Sequence, residues 1–490
     1  MAAATEVLIT HGAQREMTLD PKLLERLRKH GQDHLVRWWD ELAEPQRCGF
    51  VRELESIDFE QLDSLISKYV QRDPEVGIDP SRVRPIEVER LPQTDGERVA
   101  RRRAAEVGME ALSAGEVGIV LVAGGSGTRL GYEGPKGTFP IGPVSSASLF
   151  QIHAEKVLAM GRRYGTVLPF YIMTSPENHA ATVAFFEQHD RFGLEHVRFF
   201  VQGQMPAVDR RTGKVLLAAK DHVAMSPDGH GGVLAALASS GPVGSPSCLE
   251  EMRQRGVRTL YYFQVDNPLA QIADPAFVGL HRQAGAEMSL KVIERLSPEE
   301  KLGVVVSVDG RPWVIEYSNL PPDLAARREP DGKLELWSGS IAIHLLELGF
   351  VERMVKEHRL PFHRAIKAVS YIDESGHLVK PAEPNAVKFE QFIFDALPQA
   401  ARWAVVETDR ASEFEPLKNA VGPDSPATVH QRMSDLFADW LEQAGAKVPR
   451  RPDGSVPFGV EISPLFALDA AELKAKLKPG LIVERPLYLK

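Results

Sequence analysis

The sequence predicts an α/β protein: a mostly parallel sheet flanked by helices, with a helical N-terminal region and a small C-terminal domain. Three observations predict it. From residue 117, short apolar runs rich in β-branched residues alternate with helix-length amphipathic segments, the pattern of consecutive βα units. Before that, apolar residues recur at helical spacing. After about residue 425, one more helical segment leads into a tail punctuated by Pro and Gly. At 490 residues the chain exceeds what one hydrophobic core serves. We place the helical region and its linker at 1–95, the α/β domain at 96–425 and the C-terminal domain at 426–490.

Each element has its own signal. In QDHLVRWWDEL, Leu35, Trp38, Trp39 and Leu42 fall at i, i+3, i+4 and i+7, one face of a helix. The two tryptophans read as core. Phe59, Leu62, Leu65 and Ile66 repeat the spacing in FEQLDSLISKYV. RDPEVGIDPSRVRP, rich in Pro, Asp and Arg, reads as a linker or extended wrap. VGIVLVAGG, LPFYIMTS, HVRFFVQ, TLYYFQVDN, MSLKVIERL and GVVVSVDG read as strands, with NHAATVAFFEQHD and DPAFVGLHRQAGA as helices among them. TVHQRMSDLFADWLEQAGA is the last helix. A sheet of this kind binds ligands at the carboxyl ends of its strands.

Composition narrows the function. The chain is 43% apolar and 26% charged, ordinary for a globular protein. A net charge of −9 argues against a nucleic-acid or membrane-surface partner, since both want a basic face. Cys48 and Cys248 lie far apart, without the spacing of a disulfide framework or zinc site. The start, MAAATEVLITHGAQREM, lacks a basic stretch followed by a sustained apolar core. No apolar run approaches the ~20 residues of a membrane helix. The expected location is cytoplasmic.

The strongest chemical signal is LVAGGSGTRLGYEGPKG, residues 121–137, with six glycines and two cations, Arg129 and Lys136. Glycines let a ligand approach bare N–H groups, and phosphate is the commonest guest of such a loop. A tight turn without a ligand would need only one or two of them. A Walker loop is excluded because Gly137 follows Lys136 instead of preceding it. A dinucleotide fingerprint is excluded because Leu130 stands where its third glycine should be.

The loop nevertheless resembles a known pattern. GGSGTRLG…PKGTFPIG, SLFQIHAEK, YIMTS, FFVQGQMPA, SPDGHGG, VDNPL, VIEYS, PNAVKFEQFIFD and PLKNA occur in that order. They resemble the eukaryotic-type UDP-sugar pyrophosphorylases, most closely the N-acetylglucosamine enzymes, over nearly the whole chain. The resemblance implies a Rossmann-like nucleotidyltransferase sheet. It also implies transfer of uridylyl from UTP to a sugar 1-phosphate, with Mg²⁺ as cofactor.

Roles follow from the resemblance, position by position. Ala123, Gly124, Gly125 and Gly127 would present main chain to the nucleotide; Arg129 would reach the leaving phosphates, and Lys136 the α-phosphate. Gln202 and Gly229 would hold the uracil, an amide being able both to donate and to accept. Asp266 in VDNPL would bind Mg²⁺, which takes few carboxylates and completes its shell with phosphate oxygens. An Asx turn before Pro268 is the competing reading there, and it accounts better for Asn267 than for Asp266. Lys388 and Lys418 would face phosphates as point charges. Glu316 and Tyr317 would lie near the sugar, unless Tyr317 is simply packed.

Two positions depart from the acetylglucosamine pattern. His230 stands where those enzymes carry Asn in PDGNGG, and Ser340 in WSGSIA where they carry another Asn. Both fall at the sugar, and His230 is similar to the GHG string of UDP-glucose pyrophosphorylases. The acceptor could therefore be glucose or galactose 1-phosphate; His230 could also only shape a glycine turn. A silent nucleotide-sugar sensor would be expected to lose charge at Arg129, Lys136, Asp266 or Lys418, and all four are present. An NAD-dependent oxidoreductase is argued against by the failed fingerprint.

Overall fold

The six apolar runs are strands of one ten-stranded sheet. In chain order its members are β1 (Val83–Pro85), β2 (Val117–Val122), β3 (Phe170–Thr174), β4 (Val197–Val201) and β5 (Thr259–Gln264). There follow β6 (Met288–Glu294), β7 (Val304–Val308), β8 (Arg311–Ile315), β9 (Ser338–Glu347) and β10 (Trp403–Glu407). Strands β5, β2, β3 and β4 lie side by side and parallel, and β6 runs parallel to β10. Strand β9 separates these two groups and is antiparallel to both β5 and β6.

Parallel strands covered on both faces need apolar residues at every position, which is why these runs are continuous and do not alternate. Ile119, Leu121, Phe170, Ile172 and Phe263 enter one core; Val120, Tyr171, Met173 and Tyr262 enter the other. The helices Asp95–Ser113 and Pro275–Gln283 cross in close contact. A Cβ on Gly108 or Gly279 would overlap the opposite backbone. Helix Pro426–Gln443 and strand Val460–Ile462 share the first core with Phe150 and Ile172.

The computed structural model describes residues 18–72, 79–241, 244–357 and 360–490. The N-terminal stretch read for a secretion signal, and residues 73–78 of the expected linker, lie outside them. The described part of that linker includes β1, an edge strand on β7. Among the described residues, no helix is long and apolar enough to cross a membrane.

Packing groups the chain into two units. The sheet belongs to the unit made of the described residues of Val76–Gly203, Asp228–Pro361 and Gln391–Lys490. The other unit joins the described N-terminal residues to Gln204–Pro227 and Phe362–Glu390. Its helices Pro21–Lys29 and Phe59–Tyr69 are capped by Asp20 and Asp58, whose carboxylates accept from Lys22 N and Gln61 N. Leu27, Leu54, Phe59 and Leu62 pack with Val208, Leu217 and Phe389 in its core.

One expected helix is corrected here. QDHLVRWWDEL forms two short 3-10 turns, Asp33–Val36 and Trp39–Glu41. The run is confined between the left-handed turn at Gly31 and the next helix, which begins at Glu44. The Trp39 carbonyl accepts from Leu42 N and from the Arg47 guanidinium, so no α-helix is propagated through it. Leu35, Trp39 and Leu42 are still buried.

Candidate functional site

The glycine loop leaves the carboxyl end of β2 and is closed on itself. Gly127 N donates to Gly134 O at 3.0 Å and Lys136 N to Gly125 O at 3.1 Å. Asn178 braces it from below: its Nδ2 donates to Ala123 O and Gly125 O, and its Oδ1 accepts from Ser175 N. Packing explains most of the glycines. A Cβ at Gly127 would meet Tyr132, one at Gly137 would overlap the Phe150 ring, and Gly131 and Gly134 have positive φ. Gly125 is different, for it has no positive φ and nothing lies within 4 Å of the Cβ it lacks. The N–H groups of Gly124 and Gly125 find no acceptor among the described residues. Arg129 is exposed beside them and makes no ion pair among the described residues, so it is not a surface salt bridge.

Lysines 136 and 418 meet Asp266 at the end of β5. Lys136 Nζ lies 3.2 Å from Asp266 Oδ2, and both side chains are mostly buried, at 16% and 15% exposure. Leu417 N donates to Asp266 O, which brings Lys418 to the same place. Burial works to raise the Asp266 pKa, but the Lys136 and Lys418 charges outweigh it and hold the carboxyl below its ordinary range. Lys418 N donates to Asp424 O, and the Asp424 carboxyl feels the charges of both Lys418 and Asp266. Asn267 makes the Asx turn, its Oδ1 accepting from Leu269 N, while its Nδ2 donates to Glu413 O. The turn thus belongs to Asn267 and leaves Asp266 to the lysines.

This arrangement suits a hard divalent cation brought by a nucleotide. One ionised carboxylate is present, and among the described residues no three His, Cys, Asp or Glu side chains are grouped to hold a metal unaided. A cation here would take its other oxygens from phosphates and water.

Gln202 follows β4 and is 7% exposed. Its Nε2 donates to Asp228 Oδ1 at 3.0 Å and to Gly229 O at 2.6 Å. A Cβ on Gly124 would lie 2.9 Å from its Oε1, so the amide oxygen faces the loop. Both amide hydrogens are therefore committed, and only the oxygen is left for a ligand. The expected donor-and-acceptor role of Gln202 narrows to acceptor. His230 follows on the 3-10 turn His230–Gly232, stacked on Phe392 with ring centres 5.3 Å apart, its Nδ1 accepting from Ile393 N.

The other motif residues are less tightly joined. Gly303 O accepts from Ser340 N, and Glu316 Oε1 lies 3.8 Å from where a Gly303 Cβ would be, so Glu316 and Ser340 share one corner. Tyr317 is 47% exposed, which removes the packed reading. Lys388 stands in the other unit, on strand Ala386–Gln391, between buried Val387 and Phe389.

Asn178, Asp228 and Asp424 were not singled out from the sequence. Asp228 sits in SPDG, where an aspartate reads as a turn former. Its position one residue before Gly229, which the resemblance implies at the uracil, was the available signal.

Known proteins resemble the chain over nearly its whole length. Residues 59–438 match the family described as UTP–glucose-1-phosphate uridylyltransferase. The human UDP-N-acetylhexosamine pyrophosphorylase-like protein 1 is 37% identical, covering 96% of this chain and 97% of its own. The Saccharomyces cerevisiae UDP-N-acetylglucosamine pyrophosphorylase is 34% identical, covering 93% of this chain and 98% of its own. The inhibitor-bound UDP-N-acetylglucosamine pyrophosphorylase of Trypanosoma brucei superposes with a TM-score of 0.79 at 25% identity, covering 96% of this chain and 99% of that one. On this evidence the chain belongs to the UTP–glucose-1-phosphate uridylyltransferase family of nucleotidyltransferases.

Proposed function

We propose that this protein transfers the uridylyl group of UTP to a sugar 1-phosphate, releasing pyrophosphate, with N-acetylglucosamine 1-phosphate as its preferred acceptor. The observation that carries the reading is the Lys136–Asp266 pair, with Lys418 beside it, next to the Gly124 and Gly125 N–H groups, which have no acceptor among the described residues. The sugar-phosphate oxygen attacks the α-phosphorus in line, opposite the leaving pyrophosphate. It is already ionised near neutral pH, so no general base is needed and the work is positioning and charge neutralisation.

Gly124 and Gly125 donate to the triphosphate, Arg129 steadies the leaving end, and Lys136 moves from Asp266 to the α-phosphate as charge builds there. Lys418 stays between Asp266 and the phosphates. A magnesium ion held by Asp266 would neutralise phosphate charge. Ala123 and Gly127 shape the loop. Gln202 and Gly229 line the base; His230, Glu316, Tyr317 and Ser340 line the sugar.

A second acceptor is favoured by His230 and Ser340, which replace the two asparagines of the acetylglucosamine pattern: glucose 1-phosphate. Pyrophosphate release from UTP and Mg²⁺, measured with the 1-phosphates of glucose, galactose, N-acetylglucosamine and N-acetylgalactosamine, separates the two. The proposal expects the highest kcat/KM with N-acetylglucosamine 1-phosphate. Turnover of glucose 1-phosphate alone would move the assignment to the second acceptor, and no release with any of them would refute the transferase reading.

A further inference from the structure

The geometry points to Asp228 as a positioning residue: it fixes which way the Gln202 amide faces, and so makes the base pocket accept a ring N–H, selecting uracil over cytosine. This rests on the reading of Gln202 as a base contact. It goes further in naming what sets the orientation.

The argument starts from the two partners of Gln202 Nε2. Asp228 Oδ1 and Gly229 O are both acceptors, and an ionised carboxylate cannot donate. Burial pushes the Asp228 carboxyl up to about 6, so it is ionised at pH 8. A flipped Gln202 would turn its oxygen onto two acceptors and lose both hydrogen bonds. One orientation survives, with Oε1 toward Gly124 and without a hydrogen-bond partner among the described residues.

Asp228 is itself immobile. Its N donates to Gly203 O at 3.1 Å and its O accepts from Gln391 N at 2.6 Å. Its carboxylate is wedged against Gly203 and Gly232, where any Cβ would overlap the carboxylate oxygens. The two glycines thus have a task besides turning the chain: they make room for a carboxylate that is 9% exposed.

The consequence is chemical. Gln202 Oε1 offers an acceptor near Gly124, whose N–H finds no acceptor among the described residues. Uracil presents an N3–H flanked by carbonyl oxygens and fits such a pair. Cytosine presents a lone pair at N3, which would face Oε1 acceptor to acceptor. Sites that hydrogen-bond a substrate group reject an analogue lacking it far more strongly than apolar pockets do.

The test uses the full-length protein at pH 8 with Mg²⁺ and an acceptor sugar phosphate. kcat/KM is measured for UTP, CTP and 3-methyluridine triphosphate, in which the N3–H is gone. Wild type should disfavour both analogues by about 10²-fold or more. Asp228→Asn keeps the shape but can offer Gln202 either an oxygen or an NH₂. It should lower the UTP/CTP preference about tenfold or more while 3-methyl-UTP stays poor. A structural role alone would lower kcat/KM for UTP and CTP alike and leave their ratio unchanged. An active Asp228→Asn with the wild-type ratio would overturn the proposal. So would a wild type that uses 3-methyl-UTP as well as UTP, a comparison that holds even if the variant fails to fold. Calorimetric titration of wild type with UDP and 3-methyl-UDP reads base selection without turnover, which separates failure of this inference from failure of the transferase reading. Equal affinity for the two would overturn it as well.

Discussion

Two lysine–carboxylate clusters lie in the sheet-bearing unit, and they differ in how fully they are satisfied. Lys291, 1% exposed, donates to Asp274 Oδ2 at 2.8 Å and to both oxygens of Glu413 at 2.7 Å. Its three donors are used, and Glu413 accepts in addition from Thr408 and Gln271. Among the described residues Lys136 Nζ makes one hydrogen bond, at 3.2 Å, leaving two of its donors unused beside a loop in which Gly124 N and Gly125 N find no acceptor. A saturated, sealed ion cluster is part of the frame. An unsaturated one at the carboxyl ends of parallel strands is prepared for a ligand.

The comparison breaks if the two clusters respond alike to mutation. Glu413→Ala should be the more damaging to the fold, because it removes two of the hydrogen bonds and one of the counter-charges of buried Lys291. A loss of about 3–5 kcal/mol is expected, read as a lowered urea midpoint. Lys136→Ala should do the reverse. Turnover should fall by about 10²–10³, roughly 3–4 kcal/mol of transition-state stabilisation. The urea midpoint should fall less than in Glu413→Ala, since Lys418 remains beside Asp266 as a counter-charge. If Lys136→Ala unfolds the protein, or Glu413→Ala leaves it as stable as wild type, the distinction fails.

A smaller effect sharpens the electrostatic side. The Asp266 carboxyl lies below its ordinary 3.8, held there by Lys136 and Lys418 against the opposing effect of burial. A depressed folded pKa contributes stability that is present above the unfolded value and lost as pH falls through the folded one. The stability difference between wild type and Asp266→Asn should therefore be constant from pH 5 to 8 and shrink below about pH 4. A difference that grew on acidification would contradict the assignment. The smallest effect is expected at the sugar corner. The double replacement His230→Asn with Ser340→Asn should shift the ratio of kcat/KM for N-acetylglucosamine 1-phosphate over glucose 1-phosphate upward by about tenfold, and an unchanged ratio would remove these positions from acceptor choice.

How far the sequence could be read depends on the kind of signal. Continuous apolar runs such as TLYYFQV announced strands buried on both faces, and all six are in the sheet. Strand β9 escaped because Gly339 and Ser340 weaken its pattern and a bulge interrupts it. Its pairing shifts opposite Leu290 and Val292, and Ala342 takes a φ of 57°. The 3-10 turns at Asp33–Val36 and Trp39–Glu41 escaped because their buried residues keep the i, i+4, i+7 spacing of a helix. The convergence of Lys136, Asp266 and Lys418, from three distant segments, became legible only through the resemblance, since no local pattern links them. Asp228 was hidden by its setting: PDG announces a turn, and nothing in the string says that the carboxylate faces inward to Gln202.

The excess of glycines in the loop also has a different meaning in the structure. Gly127 and Gly137 answer to Tyr132 and Phe150, and Gly131 and Gly134 to positive φ. Gly124 is pressed by Gln202, and Gly125 has neither a close neighbour nor a positive φ. Close packing of the loop on itself leaves the Gly124 and Gly125 N–H groups without an acceptor among the described residues.

The most direct measurement is a crystal structure of the protein with Mg²⁺ and a non-hydrolysable α,β-methylene analogue of UTP. The account predicts the triphosphate within hydrogen-bonding distance of Gly124 N, Gly125 N and Lys136 Nζ, with the metal on Asp266 and the uracil N3–H on Gln202 Oε1. A nucleotide bound away from these groups, with Lys136 still paired to Asp266, would contradict it.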